Sequence, residues 1–482
     1  MKIIITISFY VAMQFFQKSY CQHSSVDSIQ LRASLNKLIE KYKIPDAAFA
    51  ITQNDTVIFK FDKNFENKNK NYYIGSCSKS FTALAILQLV DKGEIKLDSP
   101  IKNYLPWFTL KSNEQSNHIT VRNLLNQTSG LNTMHGFFDY ETTNQSIFEN
   151  RLVTYLKTIT LTSTPGSEFH YSNLNFILAG LIINRISGNS FAYYVKKNIL
   201  IKIGMSQTYL DGQEKPSNSV VNGYQYWFGF PVASKIYKHS NFRVPEGNII
   251  SNINDLCAYL NVIQNHCITK KGDTLLSAQS YSLLISPFKG GYAMGWMGNE
   301  IDYNSYFNRQ FKLPFFYHTG LNENYNAALA IYPEKNIGIV SLANINSLEF
   351  SKEAINIMLA QVINKPYAQK YSSEMFQRRA VLAVIILLTS GLLYNCYRWR
   401  KYKFKFGFDT RLFPIIRLFA GVLLSILPLY IFPTINKISF ADLFPYQPDA
   451  VVGIILCSIL GISSSLIRNM GSYSKNYKLL TQ

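Results

Sequence analysis

The sequence has 482 residues, of which 47% are hydrophobic and 16% charged, so it is too long for one ordinary core and too apolar for a disordered protein. The 25 Gly and 16 Pro residues also exclude a collagen-like or low-complexity chain. The net charge of +19 is compatible with nucleic-acid binding or with a membrane protein, and its position along the chain must decide between them.

Residues 1–21 are predicted to be a secretory signal peptide. Lys2 precedes the apolar stretch Ile3–Phe16, and the small residues at positions 19 and 21 match the pattern of a cleavage site. The apolar stretch has 14 residues and is short for a membrane span. An uncleaved signal anchor is the alternative, and either interpretation predicts that the following region is exported.

The region 22–376 is predicted to have strands at both ends and helices between them. Alternating apolar residues predict the strands, and broad apolar faces predict the helices. In chain order these are Ala47–Phe61 (two strands and a turn), Ser78–Asp91, Leu174–Arg185 and Asp255–Ile263 (helices), and Tyr325–Ile331 and Ile337–Leu342 (strands). The pattern predicts an α/β domain of the α+β type, with one sheet assembled from both ends of the domain and a helical insertion.

A candidate nucleophile lies at the start of the helix predicted over Ser78–Asp91. Ser76 and Lys79 have the spacing that places two side chains on one face of a helical turn, and a nucleophilic Ser needs a base. The helix N-terminus also offers N–H groups to a developing oxyanion. The S-x-x-K pattern occurs five times, but only this copy combines a preceding Gly75 with a following apolar helix. A simple helix cap at Ser76 is the alternative.

Two further motifs follow Ser76 and Lys79 in the chain. Tyr171-Ser172-Asn173 comes after a turn and before an apolar helix, and His318-Thr319-Gly320 opens a strand-like run. Each motif has a structural alternative when it is taken alone. Tyr171 could be a half-buried core tyrosine and Asn173 the N-cap of the next helix. His318 could be a surface or core His whose hydrogen bonds are satisfied. The order and context of the three motifs together favour a catalytic site.

These motifs resemble those of the β-lactamase-related serine hydrolases, a family of class C β-lactamases, D-Ala-D-Ala carboxypeptidases and similar esterases. The resemblance extends roughly from Ile44 to Asn346. Three intervening stretches support it. They are Val121–Leu131, similar to the family's LLxHTSGL stretch, Gly204–Thr208, similar to its LGMxxT stretch, and Glu246–Ser251, similar to its glycine-rich turn before a helix.

The resemblance implies a β-lactamase/transpeptidase-like fold, with an antiparallel sheet flanked by helices and a helical lobe. It also implies that Ser76 attacks a carbonyl and forms an acyl-enzyme. Lys79 and Tyr171 would move the proton from Ser76 to the leaving group. Asn173 would bind a substrate amide or orient Lys79. A Lys in a partly apolar site can lose its proton and act as a base, but which residue is the acylation base stays open.

The same resemblance implies that His318-Thr319-Gly320 lines the edge strand beside the substrate, and that the N–H groups of Ser76 and Leu321 form the oxyanion hole. Many β-lactamases have Lys where this chain has His318, and a neutral His holds the carboxylate of a β-lactam weakly. This departure weakens the case for antibiotic hydrolysis and leaves peptidase or esterase chemistry open. Asn126 and Asp46 also depart from the family, which often has His and Gly there.

Three apolar runs near 380–397, 412–433 and 450–467 are predicted to cross a membrane. Each approaches the ~20 residues that span ~30 Å of hydrocarbon, and only Arg417 interrupts them. A buried helical hairpin in a soluble domain is the alternative. Residues 377–482 carry 13 basic and 3 acidic side chains, so more than half of the net charge lies beside these runs. The charge therefore favours a membrane protein over a nucleic-acid-binding one.

The basic segment Arg398–Arg411 and the C-terminal tail are predicted to be cytoplasmic by the positive-inside rule. The first span then runs from outside to inside, which places residues 22–376 in the periplasm or outside the cell. Arg378 and Arg379 lie on the outer flank of that span and do not fit the rule. Membrane lipid is therefore an expected partner, and nucleic acid is not.

The cysteines and histidines predict no metal site and no disulfide framework. Cys77, Cys257 and Cys267 remain for the exported domain, an odd number without compact spacing. The seven His residues show no H-E-x-x-H motif and no paired spacing. Cys77 is predicted to be a small buried residue beside the nucleophile. No metal and no cofactor is expected.

The sequence predicts a membrane-anchored serine hydrolase that acts through an acyl-enzyme on an amide or ester. The substrate would be a D-alanyl peptide of the peptidoglycan type, a β-lactam-like compound or an ester. The alternative is a non-hydrolytic sensor, in which acylated Ser76 persists and the spans transmit its presence inward. A transporter lacks support, because three spans without paired intramembrane charges offer no substrate path.

Overall fold

The computed structural model describes most of the chain. The described residues are 26–64, 70–137, 142, 144–210, 219–234, 241–286, 291–298, 316–365, 373–401, 412–436, 440–443 and 447–477. The predicted signal peptide, residues 1–21, lies outside them, as do most of the predicted cytoplasmic segment and the end of the tail. Residues 26–365 form what we call the N-terminal domain, and residues 373–477 contain the apolar helices.

Eleven strands are described, and seven of them form one antiparallel sheet. The strands are β1 (Ala47–Gln53), β2 (Thr56–Asp62), β3 (Tyr72–Tyr73), β4 (Tyr224–Trp227), β5 (Phe230–Ala233), β6 (Ile250–Ser251), β7 (Tyr292–Ala293), β8 (Trp296–Gly298), β9 (Phe316–Leu321), β10 (Asn326–Tyr332) and β11 (Ile337–Ala343). The large sheet has the order β2-β1-β11-β10-β9-β8-β7, while β3 pairs with β6 and β4 with β5. Strands from both ends of the domain therefore lie side by side, as predicted.

The α-helices separate into those of the N-terminal domain and those that follow it. The first group is α1 (Ser28–Tyr42), α2 (Ser78–Asp91), α3 (Asn113–Ser116), α4 (Val121–Leu125), α5 (Gln145–Leu156), α6 (Asn173–Ser187), α7 (Phe191–Val195), α8 (Ile201–Ile203), α9 (Ile253–Gln264), α10 (Ala278–Ile285) and α11 (Leu348–Val362). The second group is α12 (Ser373–Lys401), α13 (Leu412–Asn436), α14 (Phe440–Leu443) and α15 (Pro448–Tyr477). The helices predicted from apolar faces correspond to α2, α6 and α9, and these predictions are confirmed.

Helices cover both faces of the sheet. Every residue of β10 and β11 is buried, which requires cover on both sides because successive side chains point to opposite faces. Helix α11 packs on β9, β10 and β11, and α1 packs against α11, while α9 packs on β1 and β11. The pattern agrees with the predicted antiparallel sheet flanked by helices.

Helix α2 is the central helix of the domain. Twelve of its 14 residues are buried, including Lys79, and it packs against α6 and α10. A helix buried on all sides cannot orient a charged side chain toward solvent, so any charge that it carries needs partners inside the protein. The start of α2 is therefore the place where buried polar chemistry is concentrated.

Two of the C-terminal helices are long and apolar enough to cross a membrane. The qualifying segments are Glu374–Arg398 in α12 and Pro448–Ile467 in α15, and α15 packs against both α12 and α13. In α13 the apolar part is the shorter segment Leu418–Ile431. Two of the three predicted spans thus have helices of suitable length and composition, and the span at 412–433 stays a prediction.

Polar contacts join the N-terminal ends of α12 and α15 to each other and to the N-terminal domain. Arg378 Nη1 lies 2.6 Å from Asp449 Oδ1, and Arg378 Nη2 lies 3.2 Å from Glu374 Oε1. Ser347 Oγ donates to Glu374 Oε2 at 2.9 Å. Arg378 is therefore paired with two carboxylates. The positive-inside rule counts Lys and Arg irrespective of acidic neighbours, so Arg378 and Arg379 still do not fit it.

Asp46, which replaces a frequent Gly of the family, has a structural partner. Its carboxylate lies 3.1 Å from Lys70 Nζ, both side chains are largely buried, and the backbone N–H of Asp46 donates to Asn344 Oδ1 at 2.8 Å. The carboxylate of Asp62 also interacts electrostatically with Lys70. The departure at Asp46 thus compensates a buried ammonium group rather than serving the three motifs.

We predict that Asp46→Ala lowers the free energy of unfolding by about 3 kcal/mol, because it leaves the buried Lys70 ammonium without its ion-pair partner. Denaturant unfolding of the full chain in detergent, followed by tryptophan fluorescence, measures this. The double variant Asp46→Ala, Lys70→Met removes both charges and should recover most of the loss. Equal stability of Asp46→Ala and the unchanged protein would contradict the assignment.

Candidate active site

Ser76 and Lys79 are brought together by the turn that leads into α2. Residues Gly75–Cys77 form one 3₁₀ turn that continues into the helix. Lys79 Nζ donates to Ser76 Oγ at 2.9 Å, while Ser76 is half-buried and Lys79 is fully buried. The predicted placement on one helical face is confirmed as geometry, and the hydroxyl of Ser76 is open toward one side.

Three oxygens from three segments surround the Lys79 ammonium group. Besides Ser76 Oγ, it donates to Asn173 Oδ1 at 2.8 Å and to the carbonyl oxygen of Glu246 at 2.6 Å. The side chain of Glu246 approaches it as well, with Oε2 at 3.6 Å. Asn173 is the first residue of α6, so the start of that helix contributes to the site.

The pKa of Lys79 is lowered to about 8, because the effect of burial, together with the positive charge of Arg243, exceeds the opposing effect of the Glu246 carboxylate. Burial is the largest of these effects because it removes the ammonium group from water. At this pKa about a tenth of the molecules carry a neutral amine at pH 7. The site therefore supplies a base near neutral pH.

Glu246 belongs to a chain of alternating charges that the sequence did not predict. Its Oε1 accepts from Arg243 Nε at 2.8 Å, and Arg243 Nη1 lies 3.6 Å from Glu323 Oε1. The sequence indicated Glu246 only as part of a turn similar to that of the family. The spacing of Arg243 and Glu246, three residues apart in one turn, was the only local signal.

Tyr171 lies between the Lys79 side and the β9 side of the site. Its ring is 5.0 Å from Lys79 Nζ and 6.3 Å from the His318 ring, measured from the ring centroid. The stretch Val121–Leu131 holds this motif, because Gln127 Oε1 accepts from the Ser172 N–H at 2.9 Å. The stretch Val121–Leu131, which resembles the family's LLxHTSGL stretch, therefore contacts the Tyr171-Ser172-Asn173 motif directly.

Strand β9 passes against the turn at Ser76 with its backbone. A Cβ added to Gly320 would collide with the carbonyl oxygen of Ile74, and one added to Gly75 would lie 2.5 Å from the backbone nitrogen of Leu321. Gly75 also has φ +52°, a conformation that favours glycine. Only residues without a side chain allow this approach, which brings the backbone of Gly320 and Leu321 beside the turn.

The prediction of an edge strand needs correction. β9 pairs with β10 along its length and with β8 at Phe316 and Tyr317, so it is an inner strand at its start. Its second half, from His318 to Leu321, continues past the described pairing with β8 and faces the Ser76 turn. The sequence pattern could not show this, because the pairing depends on β7 and β8.

His318 is a buried neutral residue in this structure. Its Nδ1 lies 2.7 Å from the carbonyl oxygen of Thr319, and its Nε2 lies 3.3 Å from Tyr292 Oη. Since a carbonyl only accepts, Nδ1 carries the proton and Nε2 accepts from the tyrosine. Burial, with the nearby charge of Lys79, lowers the pKa of His318 to about 3. The sequence did not indicate Tyr292 as its partner.

Cys77 lies next to Ser76 in the chain, but its thiol contacts β9 and not the Ser76 hydroxyl. Its thiol is fully buried, donates to the His318 carbonyl oxygen at 3.3 Å, and has its pKa raised by burial to about 12. A protonated thiol is a poor nucleophile, so the prediction of a small buried residue is confirmed. Among the described residues, no group of three or more His, Cys, Asp or Glu side chains could hold a metal ion.

Comparison with known proteins identifies the domain. The model of the Beta-lactamase family matches residues 31–362. Protein flp of Staphylococcus aureus (strain MRSA252) is 26% identical over 374 residues, which cover 76% of this chain and 72% of that protein. Penicillin-binding protein 4* of Bacillus subtilis (strain 168) is 31% identical over 172 residues, 35% of this chain and 37% of that protein.

Solved structures show the same fold. The octameric penicillin-binding protein homologue from Pyrococcus abyssi superposes with a TM-score of 0.58 at 24% identity, covering 70% of this chain and 78% of that one. A class C beta-lactamase has a TM-score of 0.57 at 20% identity and covers 72% of this chain and 99% of that one. At this identity the likeness establishes the fold and leaves the chemistry to the residues of the site.

Proposed function

Since the chain belongs to the beta-lactamase family, we propose that it is a membrane-anchored serine hydrolase that acts through an acyl-enzyme on an amide or ester. The observation that carries this proposal is the hydrogen bond from the buried Lys79 Nζ to Ser76 Oγ at 2.9 Å. Nucleophilic catalysis by Ser requires a base within hydrogen-bonding distance, and burial makes the neutral amine accessible near pH 8.

In the proposed reaction Ser76 Oγ attacks the substrate carbonyl, and a C–O bond forms as the hydroxyl proton leaves. Lys79, or Tyr171 beside it, takes this proton and delivers it to the leaving group. The N–H groups of Ser76 and Leu321 stabilise the oxyanion. Water then cleaves the ester bond to Ser76 and releases the acid, which regenerates the hydroxyl. Asn173 holds the amine of Lys79 at its hydrogen-bonding distance of 2.8 Å.

The choice of substrate depends on His318. Its neutral, buried ring supplies no permanent cation at the position where many β-lactamases have Lys, so the attraction of a substrate carboxylate to this strand is weak. We propose an ester or a peptide such as a D-alanyl peptide ahead of a β-lactam antibiotic. Thr319 and Gly320 would present the strand to the acyl group.

We propose that the apolar helices anchor the domain, with residues 22–376 outside the cytoplasm. The two helices of suitable length and composition support the anchoring, and the basic segment Arg398–Arg411 supports the orientation. The second of three spans would be the helix that contains Leu418–Ile431.

We predict that replacing the hydroxyl at Ser76 abolishes covalent labelling. Purified protein is treated with a fluorescent penicillin and, separately, with a fluorescent acyl-ester probe. Ser76→Ala should retain no label, because it removes the hydroxyl that Lys79 Nζ contacts. Ser99→Ala, in another copy of the S-x-x-K pattern, is the matched control and should label normally. Label on Ser76→Ala would refute the nucleophile. Label that never leaves the unchanged protein would favour the sensor.

We predict that the rate of acylation rises with pH up to about 8, following the loss of a proton from Lys79. Glu246 stabilises the ammonium form, so Glu246→Gln lowers the pKa of Lys79 and moves the acidic limb of the rate profile to lower pH by about one unit. Glu323→Gln, farther along the same charge chain, should move it less. An unchanged limb in Glu246→Gln would show that Lys79 does not titrate in this step.

We predict cytoplasmic activity for an enzymatic reporter fused after Lys478, since an odd number of spans carries the chain from outside to inside. Cells with a fusion between the N-terminal domain and α12, at residue 370, serve as the control and should report an external location. External activity of the Lys478 fusion would contradict the three-span topology.

A further inference from the structure

The β4–β5 hairpin presents an apolar surface that the proposed reaction does not use. Its sequence from 227 to 232 is Trp-Phe-Gly-Phe-Pro-Val. Phe230 is 51% exposed and Val232 is 45% exposed, and Trp227 and Phe228 are only partly buried. A row of exposed apolar residues next to an aromatic tip is unusual for a surface that faces water only.

The tip of this hairpin lies against the outer ends of the apolar helices. The N–H of Phe228 donates to Asp449 Oδ2 at 3.1 Å. A Cβ added to Gly229 would lie 3.6 Å from Met375 Cε, and one added to Gly453 would lie 3.7 Å from Phe228 Cε1. Gly453 is about 6 Å along α15 from Asp449, so the Phe228 ring reaches the second turn of the apolar segment.

The backbone of the turn holds the tip in this position. Phe228 has φ +53° and Gly229 has φ +82°, the combination of a two-residue hairpin turn. Asn, Asp or Gly adopt the first of these conformations more readily than Phe does. Phe228 therefore occupies a backbone conformation that disfavours it, which indicates that the contacts of its aromatic side chain outweigh the cost of the turn.

Two cations flank the exposed apolar side chains. Lys43 Nζ lies 3.9 Å above the centroid of the Phe230 ring, and Arg379 lies beside Gly229. Amphipathic aromatic residues together with Lys and Arg are typical of the boundary between headgroups and acyl chains, where the rings enter the apolar layer and the cations meet phosphates. The neighbouring Arg378 has its ion-pair partners within the protein.

We propose that the β4–β5 hairpin is a second membrane contact, inserted into the outer-leaflet interface of the bilayer that α12 and α15 cross. Phe230 and Val232 enter the boundary between headgroups and acyl chains, and Lys43 and Arg379 contact phospholipid phosphates. This inference rests on the proposed membrane anchoring. Its consequence is a fixed height and orientation of the N-terminal domain above the bilayer.

The test uses a spin label at Val232→Cys in the full chain, reconstituted in vesicles of phosphatidylcholine and phosphatidylglycerol. Cys396 and Cys457 are first replaced by Ala, and Cys77, Cys257 and Cys267 are buried. Electron paramagnetic resonance compares the collision of the label with oxygen, which concentrates in lipid, and with a water-soluble nickel chelate. Val57→Cys is the matched control. Val57 is 46% exposed and lies beside the turn between β1 and β2, at the end of these strands that is farther from the β4–β5 hairpin.

We expect an oxygen-to-nickel ratio several-fold higher at Val232 than at Val57. Equal ratios at the two positions would overturn the inference, and so would a Val232 label shielded from both reagents, which would indicate a protein partner or a second copy. A third label at Leu387→Cys in α12, where the side chain is 71% exposed, reports on the anchoring itself. A lipid signal at Leu387 with none at Val232 refutes the hairpin contact alone, while no signal at Leu387 refutes the anchoring.

Discussion

The buried ammonium group of Lys79 is the constraint on which the site depends. A charge that is removed from water must be matched by oxygens inside the protein, and here they come from the turn at Ser76, the start of α6 and the loop at Glu246. Further contacts hold that loop to α2, since Thr82 Oγ1 donates to the Pro245 carbonyl oxygen at 2.6 Å. Satisfying one cation therefore brings together three segments that are distant in sequence.

The large sheet supplies the opposite side of this site. Strands β10 and β11 are buried on both faces, and β9 pairs with β10 along its length. The absence of side chains at Gly75 and Gly320 lets the Ser76 turn approach β9 closely. The ion pair between Arg378 and Asp449 joins α12 to α15, and the N–H of Phe228 on the same carboxylate joins these helices to the N-terminal domain.

Local features were predictable and long-range partners were not. The S-x-x-K spacing predicts the approach of Lys79 to Ser76, because both lie within one helical turn whose geometry is the same in any protein. The bounds of α2 and the pairing of both chain ends in one sheet follow from apolar periodicity in the same way. Glu323, Tyr292 and the inner position of β9 were not predictable, since each contact joins segments that only folding brings together.

The sequence by itself determined the family motifs, the order of helices and strands, and the separation of the basic, apolar C-terminal region from the rest of the chain. These depend on residue type and on spacing within one element, which a linear pattern contains. Tertiary structure alone decided the ionisation of the site. Burial and the charges of Glu246 and Arg243 set the pKa of Lys79, and burial keeps His318 neutral, because the free energy of a charge depends on the atoms around it in space.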